Sequence, residues 1–198
     1  MRKKLGRRFF ERETLKVAQD LLGRYLVRKI GRKIRAGKIV ETEAYIGPED
    51  KASHAFAGKV TPRNKAEYFK GGHCYIYLVY GMYWQLNITT NKEGKPECVL
   101  IRALEPVITG QRSNQIGKEK IKNLTNGPGK LCRWLKLNKS FYGEDLTKSS
   151  KLWLEDWGEK IKKSQIIRAK RIGIDYAQEW KEKLWRFYLK NNPFVSRA

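Results

Sequence analysis

The sequence predicts a mixed α/β (α+β) fold, one compact domain built on a curved, mainly antiparallel β-sheet with peripheral helices. Three observations predict it. A chain of 198 residues is the size of an ordinary single domain. No internal repeat, low-complexity tract or Pro/Ser-rich linker divides it. Its strand-like runs cluster in the middle and most are joined by short turns, a connection open to antiparallel strands and closed to parallel ones.

Residues 1–12 read as a loose basic arm, with a single folded domain over 13–198. Thr14 to Leu22 places Leu15, Ala18, Leu21 and Leu22 on one helical face, and Gly23 is a natural stop. Arg24–Ile30 and Lys38–Tyr45 read as strands joined by a turn punctuated by Gly31 and Gly37. Cys74–Val79, Trp84–Thr90 and Cys98–Leu104 are three further strands, the first two linked through Tyr80-Gly81-Met82. Thr125–Gly129 is a loop opening a short helix near Lys130–Leu137, with Pro128 suited to the first turn. Strands at Leu152–Leu154, Ile166–Ala169 and Arg186–Leu189, and a short helix after Asp175, complete the reading.

Hydrophobic residues make up 40% and aromatics 12%, enough for a packed core. The net charge of +23 makes a polyanion the expected partner, either nucleic acid or an anionic membrane surface. Apolar runs are only a handful of residues long, which excludes a transmembrane helix. The N-terminal MRKKLGRRFFERE is basic but lacks the apolar stretch of a signal peptide, so secretion is not expected. Cys74, Cys98 and Cys132 are an odd set without C-x-x-C spacing, which argues for reduced thiols inside a cell and against a zinc ribbon. The sequons at Asn87, Asn123 and Asn138 are then accidental. Charge is uneven along the chain. The first 38 residues hold 14 Lys/Arg against three acidic residues, whereas Ile39–Phe56 holds Glu41, Glu43, Glu49 and Asp50 against Lys51 alone. An acidic island in so basic a chain repels phosphates, so it needs a reason of its own, and chemistry is one.

With Ile39–Tyr45 as a strand, the period of two puts Ile39, Glu41, Glu43 and Tyr45 on one face and Val40, Thr42 and Ala44 on the other. Such a face is either a solvated edge paired with lysines or the mouth of a pocket holding a general base. His54 follows shortly after, and its weight comes only from these neighbours. Tyr75 and Tyr77 share a strand face. Tyr75 reads as cross-strand packing, Tyr77 as a platform for a base, and Tyr80 at the hairpin tip as a wedge between base steps. Arg102 in an otherwise apolar strand calls for a carboxylate or bound anion nearby, and Asn87 is a similar polar intrusion. Neither Asn126–Lys130 nor Gly110 to Gly117-Lys118 has the spacing of a Walker loop.

These motifs, taken in order, resemble those of one family. Val40-Glu41-Thr42-Glu43-Ala44-Tyr45-Ile46-Gly47-Pro48-Glu49-Asp50 through His54, Thr61-Pro62-Arg63-Asn64, Tyr75-Ile76-Tyr77, Tyr80-Gly81-Met82, Asn87, Val99 to Pro106, Gly127 to Cys132 and Arg186-Phe187-Tyr188 resemble the alkyladenine (3-methyladenine) DNA glycosylase family. The resemblance spans about Phe9 to Val195. It implies a single α/β catalytic domain around a curved antiparallel sheet. The implied reaction is hydrolysis of the N-glycosidic bond of damaged purines such as 3-methyladenine and hypoxanthine, with neither metal nor cofactor. Position by position, it implies Glu43 as activator of the attacking water and Arg102 as a residue helping to hold that water. Tyr45, His54 and Tyr77 match the side chains enclosing a flipped base, Asn87 an obstacle to the 2-amino group of guanine, and Tyr80 the side chain that fills the gap in the duplex. The chain starts almost at the matching segment, so no accessory N-terminal function is expected.

The residue types suit that chemistry. A base inside a duplex must be swung out, and the protein must replace the lost stacking. An alkylated purine carries positive charge that the rings of Tyr45 and Tyr77 attract by about 1–2 kcal/mol when desolvated. Cleavage leaves an oxocarbenium-like sugar that an ionised Glu43 stabilises, and an adjacent arginine favours the charged form of a carboxylate. The expected partner is double-stranded DNA containing damaged purines, the expected state a monomer without membrane contact, and the location the cytoplasm and nucleoid of a prokaryote or the nucleus of a eukaryote. Two alternatives stay open from composition: a metal-dependent nuclease with Glu41, Glu43, Asp50 and His54 as ligands, and a non-enzymatic basic nucleic-acid-binding module.

Overall fold

One 14-residue strand organises the chain. In the computed structural model, which describes residues 2–108 and 118–196, Lys33–Ile46 (β3) pairs along one edge with Glu97–Val107 (β6). Its other edge is shared by Tyr25–Ile30 (β2), which covers the first half, and Arg186–Leu189 (β9), which covers Glu41–Glu43. Beyond β6 lie Tyr83–Thr89 (β5) and Cys74–Val79 (β4). Beyond β2 lie Leu152–Asp156 (β7) and Lys3–Lys4 (β1), and Ile166–Ala169 (β8) flanks β9. Every pairing is antiparallel. A strand stands at each predicted place, and the antiparallel sheet is flanked by short helices as predicted. The Gly110–Gly117 stretch lies outside the described residues.

The core forms where the sheet meets the helices Thr14–Asp20 (α2) and Pro128–Leu135 (α4); Arg7–Phe10 (α1) and Lys118–Lys122 (α3) are shorter. Val17 and Ala18 of α2 and Leu131 and Leu135 of α4 pack with Val40, Ala44, Ile88 and Ile101. Thr42, also on this side, donates its hydroxyl to the Ala18 carbonyl at 2.9 Å. The sequence logic of α4 is visible at both ends: Pro128 sits in the first turn, and Lys136 takes a left-handed conformation that stops it.

Three expectations change. Gly37 is not in the turn but inside β3, at a close approach where a Cβ would meet the Leu104 Cβ at 2.9 Å. Ile39 does not share the carboxylate face. A bulge at Val40 lets Ile39 and Val40 both enter the core, since one extra residue breaks the period of two. The N-terminal arm is not loose either. Lys3 and Lys4 pair with β7, the Leu5 N–H donates to the Leu154 carbonyl at 2.8 Å, and Arg7 binds Asp145 at 2.5 Å. Phe10 is fully buried in the core, which is the apolar gain that holds a basic segment down.

Phe10→Ala is therefore expected to cost about 3–5 kcal/mol, the range for emptying a buried aromatic site. Urea denaturation checks it; a loss below about 1 kcal/mol would mean that the arm contributes no packing.

Candidate active site

Two irregularities in succession shape the site. Ile39 faces Leu104, Glu41 faces Ala103, and Thr42 faces Ile101, so Val40 on β3 and then Arg102 on β6 are each skipped by the register. The extra residue on β6 turns the Arg102 guanidinium onto the β3 carboxylates. Its Nε donates to Glu41 Oε1 at 3.1 Å and its Nη1 to Glu43 Oε2 at 3.2 Å. Neither glutamate is exposed, so the solvated-edge reading of Glu41-Thr42-Glu43 fails: β3 is interior, and both carboxylates are paired.

The two glutamates have different surroundings. Glu41 also accepts from Arg186 Nη1 at 3.0 Å, from the Ser196 N–H at 2.7 Å and from the Ser196 hydroxyl at 3.0 Å. Four donors hold it, three on Oε1 and one on Oε2, which makes it a structural anchor. Glu43 accepts from Arg102, from the Tyr45 hydroxyl at 2.9 Å and from the Ile172 N–H at 2.8 Å. A carboxylate offers about four acceptor positions, so these three donors leave one for the O–H of a water. Burial acts to lower the Arg102 pKa, but the charges of Glu43 and Glu41 outweigh it and hold the guanidinium above its ordinary value.

Tyr45, His54, Tyr77, Asn87, Tyr80 and Arg102, all singled out in the sequence, line one cleft of about 740 Å³. Glu43 lies just behind its wall, bonded to Tyr45 and Arg102. His54 Nδ1 lies 2.6 Å from the Tyr75 hydroxyl, and its ring meets that of Tyr77 edge to face with centroids 4.6 Å apart. Burial, followed by the Arg63 charge, lowers the His54 pKa to about 4, so the imidazole is neutral at pH 7. Burial raises the phenols of Tyr45 and Tyr77, so both rings stay uncharged. Asn87 is buried and donates from Nδ2 to the Tyr75 carbonyl at 3.3 Å. Tyr75 is buried as expected for packing, yet its hydroxyl also orients His54. Tyr80 stands on the rim, 87% exposed, at a turn where it and Gly81 both have positive φ. A bulky residue in that conformation is strained, and the strain holds an apolar side chain out in water.

Sequence reasoning missed several members. Arg171 binds Asp50 at 2.5 and 2.8 Å, donates to the Ala44 carbonyl at 3.0 Å and stacks its guanidinium 4.8 Å from the Tyr45 ring. Nothing local separates it from the other basic residues, because its partners are about 120 positions away. Glu67, on the short helical turn Lys65–Tyr68, also lines the cleft, and nothing in its local sequence marks it. The suggested metal ligands are not assembled. Glu41 is held by Arg102 and Arg186, Asp50 by Arg171, and among the described residues no group of three His, Cys, Asp or Glu is placed to hold a metal ion. The three cysteines are buried and unpaired. No helix among the described residues is long and apolar enough to cross a membrane.

A family model described as methylpurine-DNA glycosylase matches residues 8–193. A protein of Desulfitobacterium hafniense (strain Y51) with the name "Putative 3-methyladenine DNA glycosylase" is 48% identical, covering 98% of this chain and 98% of its own. A protein of the same name from Natranaerobius thermophilus is 45% identical with the same coverage, and one from Clostridium novyi (strain NT) is 45% identical over 98% of this chain and 99% of its own.

A histidine with a depressed folded-state pKa binds no proton where the unfolded chain, with a value near 6.5, does. Stability is thus expected to fall as pH drops from about 6.5 to 4, by up to about 3 kcal/mol at roughly 1.4 kcal/mol per pH unit. Urea denaturation across that window should show a shallower decline in a His54→Gln variant; parallel declines would mean that His54 is not buried neutral.

Proposed function

The chain belongs to the methylpurine-DNA glycosylase family, and on that premise we propose that it flips damaged purines out of duplex DNA and hydrolyses their N-glycosidic bonds, leaving an abasic site. The substrates are 3-methyladenine, other alkylated purines and hypoxanthine. One observation carries this reading. A buried carboxylate with a free acceptor position stands against an aromatic cleft, fastened there by Arg102 and Tyr45.

In this reading the basic surface binds DNA phosphates with release of counterions. Tyr80 enters the stack and offsets the few kcal/mol lost when a base leaves it. Tyr45, His54 and Tyr77 enclose the purine with neutral, electron-rich faces. A cationic alkylpurine gains about 1–2 kcal/mol there relative to a neutral base. Asn87, immobilised by its bond to the strand, meets the 2-amino group of guanine and refuses it. Glu43 steadies the positive sugar as the bond lengthens and takes a proton from water that Arg102 helps to position. No lysine attacks the sugar, so the enzyme is monofunctional. It works as a monomer on DNA in the bacterial cytoplasm, the setting that the bacterial origin of its relatives supports.

The nuclease alternative has little to stand on, since guanidinium partners already hold all three of its carboxylate ligands. Excision from hypoxanthine- and 3-methyladenine-containing duplexes, followed by alkali, is expected to nick the strand at the lesion and to persist in excess EDTA. No cleavage on either substrate rejects the proposal. Glu43→Gln is expected to keep lesion binding while slowing base release at least about 100-fold, the lower bound for general-base catalysis; near-normal release would remove Glu43 from its role. Tyr80→Ala is expected to raise the Kd for lesion duplex about fivefold or more, since stacking contributes about 1–3 kcal/mol per base. Unchanged binding in a titration would show that the tip stays outside the duplex.

A further inference from the structure

Glu67 sits in the cleft with no assigned task. It is 2% exposed, and its Oε1 lies 3.5 Å from the Cys98 sulfur, whose thiol stands between Glu67 and Asn87 Oδ1 (3.8 Å). Its Oε2 is buried without a hydrogen-bond partner among the described residues. A buried carboxyl oxygen without a partner is costly, and in a residue that lines a substrate-sized cleft that cost calls for a functional reason. We propose that Glu67, in its neutral acid form, donates through Oε2 to a ring nitrogen of an uncharged purine held in the cleft and protonates it as the glycosidic bond breaks. This assignment rests on the glycosylase reading and names the proton donor that reading requires for hypoxanthine.

The electrostatics agree with the geometry. Desolvation lifts the Glu67 pKa to about 8, against partial opposition from the Cys98 and Asn64 side chains and with added lift from Asp50. The other groups facing it are the Tyr68, Tyr75, Tyr77 and Tyr142 phenols, all raised by burial and therefore neutral. Asp50 is already neutralised by Arg171. A carboxyl protonated at pH 7 yet acidic enough to yield its proton is the profile of a general acid. His54, titrating near 4, holds no proton to spare at that pH.

Hypoxanthine offers N3 and N7 as free acceptors. As the Glu67 O–H bond breaks, an N–H bond forms on one of them. The C1′–N9 bond breaks with its electron pair moving into the ring, and the base leaves as a neutral tautomer. Water adds its oxygen to C1′ and gives a proton to Glu43, and that proton returns to Glu67 through solvent. One water is consumed in total. A base alkylated at N3 or N7 already carries the positive charge and needs no such proton.

The test compares wild type with Glu67→Gln and Glu67→Met on hypoxanthine duplex and on methylated DNA that yields 3-methyladenine, under single-turnover conditions. In both variants the ratio of hypoxanthine to 3-methyladenine release is expected to fall about 100-fold or more. In wild type, hypoxanthine release is expected to decline as pH rises through about 8, and 3-methyladenine release to lack that decline. A ratio within threefold of wild type in either variant, or the same alkaline decline for both bases, overturns the assignment. So does a wild type that releases 3-methyladenine but never hypoxanthine. A wild type that releases neither base sinks the glycosylase reading, and this inference with it.

Discussion

Two carboxylates and a guanidinium, all taken out of water in the middle of a sheet, are the constraint on which the site depends. An isolated buried carboxylate is too costly to keep charged. Here Arg102 bonds both Glu41 and Glu43, while Arg186 and Ser196 also donate to Glu41. Removing one partner of such a network costs about 3–5 kcal/mol, because it strands the other charge. The network also explains the paired irregularities of β3 and β6. A regular ladder would aim Arg102 and the glutamates by strict alternation, whereas two compensating bulges bring them together and restore the register beyond.

Outside this network the cleft is kept neutral by desolvation. His54 loses its proton, and the tyrosines, Cys98 and Glu67 keep theirs, all for the same reason: burial disfavours the charged form. The result is a cleft whose aromatic walls are uncharged and polarisable, with Arg63 and Arg102 also in its lining, inside a protein with a net charge of +23. The surface charge suits a polyanion, and the interior suits a single base, cationic or neutral. Arg171 holds Asp50 and stacks on the Tyr45 ring beside the cleft.

Tyr80 carries the opposite logic. It is an aromatic side chain held in water by a strained turn at the cleft mouth, with Met82 67% exposed beside it. Such an arrangement contributes nothing to the isolated fold. Its value lies in a bound partner whose bases can cover it, which ties the strain of the tip to the proposed flipping step.

The sequence by itself determined the class of fold and most of the cleft. Hairpin spacing announced the β4–β5 and β2–β3 pairs because turn chemistry is local, and the resemblance of the ordered motifs to one family singled out Glu43, Tyr45, His54, Tyr77, Tyr80, Asn87 and Arg102. Only the tertiary structure decided that Ile39 turns to the core and Arg102 to the carboxylates, since a bulge is a property of the pairing and leaves no trace in one strand alone. It also decided that the basic arm is anchored by Phe10 and that Asp50 belongs to Arg171. Glu67 is the sharpest case. In the sequence it is one glutamate among many on a polar turn, and what distinguishes it is an oxygen left without a partner once strands far away in the chain close over it.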